Sequence, residues 1–257
     1  MSVVAIVPAR LASKRFPRKV LADHTGRPLV QHVVDRVLDS DAVDRVVVAA
    51  DHEEIREALQ RFRTEVVLTS LEHLNGTSRI AEAASLLGLA DDDVVVNVQG
   101  DEPEIDPGAV RAVVDALRAG DAPMATLGVR MDDCREAESP NVVKVVTTAE
   151  MSRALYFSRA RIPLDRDGDA VERLPDARPI RHLGLYAYRR SFLPVYVGLA
   201  PTPLEQTEML EQLRVLEHGY AISIAVLDDP DAAGRAGIDT PEQYQAFLAR
   251  WNAEQGA

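Results

Sequence analysis

Thirteen residues near the N-terminus, "VPARLASKRFPRK" from Val7 to Lys19, hold five cations: Arg10, Lys14, Arg15, Arg18 and Lys19. Guanidinium and ammonium groups held on one short loop can converge on a single polyanion, and Ser13 adds a hydroxyl donor. Phosphate is the natural target of such a group. The two familiar phosphate loops are absent, since the chain contains neither GxxxxGK[ST] nor GxGxxG. Side-chain cations, rather than glycine-exposed backbone alone, would therefore meet the negative charge. A solvated basic turn that balances an acidic surface is an equal reading of position and charge alone.

Carboxylates supply the second candidate group. The apolar run "DVVVNV" leads into "QGDEP", Gln99 to Pro103. A carboxylate just past a buried strand is expensive to desolvate unless it meets cations or a metal, so Asp101 facing the basic loop is a natural Mg²⁺ ligand. Glu102 reads either as a second functional acid or as a helix-entry carboxylate before the Asp106-Pro107 cap. Asp239 precedes another capped helix and, taken alone, reads as a loop acid. Magnesium keeps few protein ligands and many phosphate oxygens, so one or two such carboxylates would suffice beside a triphosphate. Among the six histidines only His182, in "RHLGLYAYR", has a distinctive context. A strand would put it on one face with Tyr186, either as functional groups or as half-buried polar aromatics. Glu211 and Gln212, in "MLEQLR", read as surface residues unless a ligand meets them; Glu208 and Glu211, one helical turn apart, would repel without a cation or donor between them.

These residues need elements to position them. "VVAIVP", "RVVVAA", "EVVLT" and "DVVVNV" are short, β-branched and almost wholly apolar, as strands buried on both faces are. Strand one is expected to end at Pro8. Helical spacing separates them: Leu29, Val30, Val33, Val34, Val37 and Leu38 recur every three to four residues, and "DHEEIREALQRF" opens on acidic residues. Alternation over about the first 130 residues predicts a doubly wound, mainly parallel sheet whose ligands lie beyond the carboxyl ends of its strands. In the second half "NVVKVV", "RALYFSR", "HLGLYAYR" and "AISIAVL" read as strands, and 165–179 as an exposed loop or arm. "PLEQTEMLEQLRVLEHG" reads as one helix, from Pro203 to a stop at Gly219, with Met209, Leu210, Leu213 and Leu216 as its apolar stripe. A last helix starts with Thr240 as N-cap, Pro241 as first helical residue and Gln243 as capping-box partner. No linker or repeat is evident, so residues 1–257 read as one domain.

Bulk properties exclude several classes. The 257 residues are 46% hydrophobic, enough for a substantial core, and carry 29 basic against 41 acidic side chains, a net charge of −12. With no second basic block, a nucleic-acid-binding surface is excluded. The lone Cys134 permits neither an intrachain disulfide framework nor a cysteine-rich zinc site, and reads as a small buried hydrophobe. "MSVVAIVP" is too short for a signal peptide and no apolar run approaches ~18 residues, so a cytoplasmic protein without a membrane segment is expected.

Taken in order, the motifs resemble the 3-deoxy-manno-octulosonate cytidylyltransferase (CMP-Kdo synthetase) family, which couples a cytidylyl group from CTP to an acidic eight-carbon sugar. "PARLASKRFPRKVL" is similar to that family's PARxxSxRxPGKxL loop and "NVQGDEP" to its most distinctive heptad; "YFSRARIP", "HLGLYAYR", "PLEQTEMLEQLRVL" and "GIDTPE" follow in the family's order. Nearly the whole chain is covered. A more distant resemblance reaches the sialic-acid cytidylyltransferases. The family implies a Rossmann-like nucleotidyltransferase fold, a mainly parallel central sheet flanked by helices with a smaller dimerisation and acceptor-binding sheet. The nucleotide-binding half would span about 1–130 and the acceptor and dimerisation elements about 131–257. Mg²⁺ dependence and a homodimer are also implied.

The resemblance assigns Arg10, Ser13, Arg15 and Lys19 to the CTP phosphates, and Asp101 and Asp239 to magnesium. Arg10, Lys19 and Asp101 would be the catalytic set. Gln99, Arg159, His182, Tyr186, Glu211 and Gln212 would face the acceptor. "HLNGTSR", His73 to Arg79, resembles an HxSGTDR segment near the cytosine and ribose, which adds Gly76, Thr77 and Arg79 to the nucleotide site. Three positions depart: Asn75 stands for serine, Ser78 for an acid and Arg18 for glycine. The implied reaction is in-line attack of an acceptor oxygen on the α-phosphorus of CTP, with pyrophosphate leaving. Two alternatives stay open. The chemistry could act on another small acid, such as the phosphonate phosphonoformate, which an arginine-over-lysine composition suits; or the chain could be a CTP-binding regulatory module without turnover.

Overall fold

The computed structural model describes residues 1–73, 75–132, 134–168, 174, 178–229, 234–235 and 237–255. Most of the segment 165–179, expected as an exposed loop, lies outside them. So does the side chain of Cys134.

Among the described residues nine strands form one sheet: β1 (Val3–Ala9), β2 (Arg45–Ala50), β3 (Glu65–Leu68), β4 (Val94–Asn97), β5 (Met124–Arg130), β6 (Lys144–Thr147), β7 (Ala154–Ser158), β8 (Ile180–Arg189) and β9 (Ile222–Leu227). The main order is β3-β2-β1-β4-β8-β5-β9. Pairs β1–β2, β2–β3, β1–β4 and β5–β9 are parallel, whereas β8 runs antiparallel to both β4 and β5. Instead of a separate smaller sheet, β6 and β7 form a hairpin within this one, joined where Lys144 and Val145 pair with Arg181 and Ile180 of β8. β1 runs through Pro8 to Ala9, which pairs with Ala50. Proline is tolerated here because Pro8 faces the β4 side, where pairing has already ended at Ile6, so no ladder bond is lost.

Helices cover both faces: α1 (Leu29–Leu38), α2 (Glu53–Gln60), α3 (Gly76–Leu86), α4 (Pro107–Ala119), α5 (Phe192–Gly198), α6 (Pro203–Glu208), α7 (Gln212–Glu217) and α8 (Pro241–Gln255). Leu29, Val30, Val33, Val34 and Val37 of α1 are all buried, the stripe its spacing predicts. Each such side chain contributes roughly 1.5–3 kcal/mol on burial. Two clusters lie one on each sheet face: α1 and α4 pack with Val3, Val7, Val48 and Val96, while α3, α5 and α7 pack with Val4, Ile6, Val95 and Tyr188; a third joins Leu29 to Ile238 and to Tyr244 and Phe247 of α8. The alternation of Val95 and Val96 between clusters follows the period-two geometry of a strand. No helix among the described residues is long and apolar enough to cross a membrane.

The helix expected over 203–219 is broken. α6 ends at Glu208, Met209 takes a left-handed conformation (φ 53°, ψ 48°), and α7 starts at Gln212. Met209, expected on the apolar stripe, is 75% exposed, while Leu210 and Leu213 are buried. Tertiary contacts explain the break. Arg214 donates to Glu205 from Nε (2.8 Å) and Nη2 (2.5 Å), a buried pair. On a continuous helix those residues would stand about 13.5 Å apart along the axis and on opposite sides. The last helix begins as read: Gln243 N donates to Thr240 Oγ1, and Gln243 Oε1 accepts from Thr240 N at 3.0 Å.

Candidate active site

In the order 3-2-1-4 the chain leaves β1 in one direction and β4 in the other, so a crevice opens between their carboxyl ends. The basic loop leaves β1 there, and Gln99–Asp101 leaves β4. Gly100 permits their close approach: a Cβ there would lie 2.7 Å from the Pro8 carbonyl oxygen, closer than any side chain could sit. Asp51, at the end of β2, accepts from Leu11 N at 2.9 Å and fixes the loop's exit.

Lys19 occupies the middle of this arrangement. Its Nζ donates to Asp101 Oδ2 (2.6 Å), Asp239 Oδ1 (2.8 Å) and the Ile238 carbonyl (3.0 Å), using all three protons. Burial alone would lower the pKa of this ammonium, but the two carboxylates outweigh it and raise the value. Arg15 pairs with the other oxygen of Asp239 at 2.7 Å. Asp239 is itself partly buried, which opposes ionisation, but Lys19 and Arg15 hold its carboxyl below the usual range. The capped start of α8 aims Asp239 here, since Gln243 Oε1 also accepts from Asp239 N at 2.7 Å.

Two adjoining cavities make up the cleft. The first, about 230 Å³, is lined by Arg10, Ser13, Lys19, Gly76, Gln99, Gly100 and Asp101 among others. The second, about 450 Å³, shares Arg10, Gly76 and Gln99 with it and adds Thr77, Tyr186, Glu211 and Gln212. Asn97, Tyr188 and Tyr196 also line it, and the sequence reading had not singled these out. A polar residue inside the apolar run "VVVNV" was the available signal for Asn97. Burial raises the Glu211 carboxyl, moderated by the Tyr196 hydroxyl, which donates to it at 3.3 Å. Glu208 does not face Glu211: its carboxylate accepts from Ser158 Oγ (2.6 Å) and Arg159 N (2.9 Å), so the expected repulsion is absent.

Five expected site residues line neither cavity: Arg15 and Asp239, paired as described, and Arg79, Arg159 and His182. Arg79 is 1% exposed, donates to Thr69 Oγ1 at 2.6 Å and lies 3.9 Å from Asp51, the residue that holds the basic loop. Arg159 donates from Nε to the Glu208 carbonyl (2.7 Å) and from Nη1 to the Pro140 carbonyl (3.0 Å), bracing the turn that presents Met209 to Gln212. His182 meets Thr126 Oγ1 at 2.9 Å and packs edge-on against Phe157; burial lowers its pKa to about 3, so it is neutral. Its ring lies 5.6 Å from that of Tyr186. The shared face survives although β8 carries two extra residues opposite the Thr126/Leu127 step.

A doubly wound sheet with cations and carboxylates gathered at its switch point suits a nucleotidyltransferase, the class that comparison with known proteins shows. Comparison with known proteins gives the family. The Cytidylyltransferase family profile matches residues 4–224. A 3-deoxy-manno-octulosonate cytidylyltransferase of Herminiimonas arsenicoxydans is 52% identical over 94% of this chain and 96% of its own length. That of Vibrio parahaemolyticus serotype O3:K6 (strain RIMD 2210633) is 46% identical over 97% and 98%. Among solved structures, CMP:2-keto-3-deoxy-manno-octonic acid synthetase complexed with CTP superposes with a TM-score of 0.88 at 35% identity, covering 99% of this chain and 100% of that one. A cytidylyltransferase from Leptospira borgpetersenii serovar Hardjo-bovis (strain JB197) shares the fold, with a TM-score of 0.62 at 16% identity over 96% and 85%. The chain belongs to the cytidylyltransferase family, and within it to the 3-deoxy-manno-octulosonate cytidylyltransferases.

Proposed function

We propose that this enzyme transfers CMP from CTP to 3-deoxy-manno-octulosonate and releases pyrophosphate. The observation that carries the reading is the pair of adjoining cavities, one cationic and one walled by polar and aromatic groups, sharing Arg10, Gly76 and Gln99. A triphosphate in the first would meet at Arg10 an acid in the second, into which the nucleoside would also reach through Gly76 and Thr77. Naming of the relatives and the CTP complex of the similar structure support the same assignment.

In this mechanism Arg10, Ser13, Arg15 and Lys19 bind the triphosphate and neutralise the leaving pyrophosphate. Charge on the phosphate oxygens rises in the transition state, so cations fixed in place stabilise that state more than the ground state. Gly76 and Thr77, at the first turn of α3, would meet the nucleoside. Gln99, Tyr186, Glu211 and Gln212 would orient the acceptor, with Arg159 and His182 behind them. No protein nucleophile is needed.

Asp101 and Asp239 would hold Mg²⁺. Asp101 presents hard oxygens to the first cavity and Asp239 meets the same Lys19 beside it, and no group of three or more His, Cys, Asp or Glu among the described residues is arranged to hold a metal. This donor set fits an ion that draws its other ligands from phosphate and water, as magnesium does. When bound, such an ion supplies Lewis-acid stabilisation of phosphate charge. The reading includes a homodimer, as the resemblance implies, acting in the cytoplasm.

Pyrophosphate release with CTP and a panel of acceptors tests the assignment. Release with 3-deoxy-manno-octulosonate well above that with sialic acid or phosphonoformate is expected; preference for a phosphonate would overturn the acceptor, and no release with any acceptor would favour a regulatory module. Asp101→Asn should cut kcat by at least about 100-fold while changing CTP affinity far less. Near-normal turnover by that variant would remove Asp101 from the machinery.

A further inference from the structure

The cations read as the triphosphate's partners and the carboxylates read as the metal's are bonded to one another. Lys19 Nζ gives its protons to Asp101 (2.6 Å), Asp239 (2.8 Å) and the Ile238 carbonyl (3.0 Å), and Arg15 takes the other oxygen of Asp239 at 2.7 Å. An ammonium has three donors, so Lys19 in this position has none left for a phosphate. Three of the four carboxylate oxygens are likewise committed to cations of the basic loop.

The carboxylate side of this arrangement is fixed. Ile238 N donates to the Asp101 carbonyl at 2.8 Å, which joins the two acidic segments, and Ile238 is buried among Leu29, Tyr244 and Phe247. Lys19 can move, because its four-carbon stem is flexible and it already lines the first cavity with Arg10 and Ser13. With only 11% of its side chain exposed, its ammonium cannot leave both carboxylates without meeting another anion, and the carboxylates cannot lose it without meeting another cation. A triphosphate and a divalent ion arriving together satisfy both sides; either one alone satisfies half.

We propose that Lys19 is an exchangeable counter-ion of the metal carboxylates: it neutralises Asp101 and Asp239 until a triphosphate draws its ammonium into the first cavity, so that divalent-cation binding depends on nucleotide. Lys19 thereby couples the two ligands, and the coupling is reciprocal. The proposal rests on the reading of Asp101 and Asp239 as metal ligands and of the first cavity as the triphosphate site.

The experiment titrates the nucleotide-free, full-length enzyme with Mn²⁺ alone, an ion of the same oxygen preference as Mg²⁺ whose unbound fraction electron paramagnetic resonance reads directly. Lys19→Met should bind Mn²⁺ at least about tenfold more tightly than the parent, and the gain should disappear when Asp101→Asn is added. Arg10→Met, which removes another cation of that cavity, should change the affinity less than about threefold. Should Lys19→Met fail to fold, Lys19→Gln, which keeps a donor but no charge, should shift it in the same direction. Equal affinity in the parent and the Lys19 variants would overturn the exchange while leaving the metal ligands in place. An equal gain from Arg10→Met would reduce the effect to net charge and overturn it as well. No Mn²⁺ site in any folded variant would overturn instead the metal reading on which the proposal rests. A second readout follows the ammonium itself. Lys14, Lys19 and Lys144 are the chain's only lysines, so ¹³C labelling of lysine makes each side chain separately visible by nuclear magnetic resonance. The Lys19 signal, identified by its loss in Lys19→Met, should shift when CTP is added with metal chelated, while that of Lys144 stays. An unmoved Lys19 signal at saturating CTP would overturn the exchange.

Discussion

Arg18 stands where the resembled loop has glycine, and its backbone shows why glycine suits the place: φ is 59°, in the left-handed region that Cβ disfavours. Its guanidinium does not add a cation to the triphosphate cavity; it pairs with Glu54 of α2 at the exposed surface. Surface pairs of this kind are worth little. Arg18→Gly should therefore leave kcat unchanged and hold the melting temperature within about 3 °C of the parent or above it, read by thermal unfolding. A tenfold loss of turnover would return Arg18 to the phosphates. The other departures are equally local. Asn75 caps α3 by accepting from Ser78 N at 2.9 Å, and asparagine caps as well as serine. Ser78 Oγ donates to the Asn75 carbonyl at 3.1 Å and meets His73 Nδ1 at the same distance, while His73 bonds Glu82. None of the three substitutions demands a different acceptor.

The β6–β7 hairpin gains its meaning at the scale of elements. Lys144, fully buried at the start of β6, has no carboxylate bonded to it; Nζ donates to the carbonyls of Ser139 (2.9 Å), Val142 (2.6 Å) and Arg159 (2.5 Å). Burial lowers its pKa from the ordinary lysine value. The three carbonyls tie the approach to β6 to the end of β7, and Arg159 carries the tie onward to the Glu208 carbonyl. Through that chain the hairpin sets the turn between α6 and α7 that walls the second cavity. Lys144→Met keeps the stem but leaves the carbonyls without a donor, at roughly 1–3 kcal/mol for each one left buried. A melting temperature several degrees lower and an acceptor KM about tenfold higher are expected, with KM for CTP within about twofold. Equal rises in both constants would mean general loosening rather than a wall out of place. The broken helix makes the same point in reverse. Its sequence pattern is continuous, so local spacing predicts one helix; the buried Glu205–Arg214 pair and the Glu208 contacts decide for two.

Across the whole molecule, α8 closes the circuit from the C-terminal segment back to the first loop. It packs on α1 through His32, whose ring lies 5.2 Å from Phe247 and 4.6 Å from Trp251. Burial lowers the pKa of His32 to about 4. A depressed histidine stays neutral in the fold while the unfolded chain takes up its proton below about pH 6.5, so stability present at neutral pH is lost as pH falls. Between about pH 6.5 and 4 the loss should approach about 1.4 kcal/mol per pH unit from this group. Urea unfolding of wild type against His32→Gln over that range should show a shallower slope in the variant. Parallel curves would remove His32 as the source. This packing matters to the site because Asp239, two residues before α8, meets Lys19 across 220 residues of chain.

Strand β5 and helix α3 were not legible in the sequence, whereas strands β1 to β4 and β6 to β9, helices α1 and α2, the caps of α4 and α8 and the cationic loop all were. Each is a local property, written in spacing, β-branching, caps and charge density over a few residues. Of the residues that the resemblance assigns to CTP, metal or acceptor, Arg10, Ser13, Lys19, Gly76, Thr77, Gln99, Asp101, Tyr186, Glu211 and Gln212 line the cavities, whereas Arg15, Arg79, Arg159, His182 and Asp239 do not. Other features required the folded chain: Lys19 shared between two carboxylates, Arg79 placed behind the loop it supports, Arg18 turned to Glu54, and the break at Met209. Each depends on which distant groups become neighbours. Desolvation and hydrogen bonding act on that neighbourhood rather than on the order of residues along the chain.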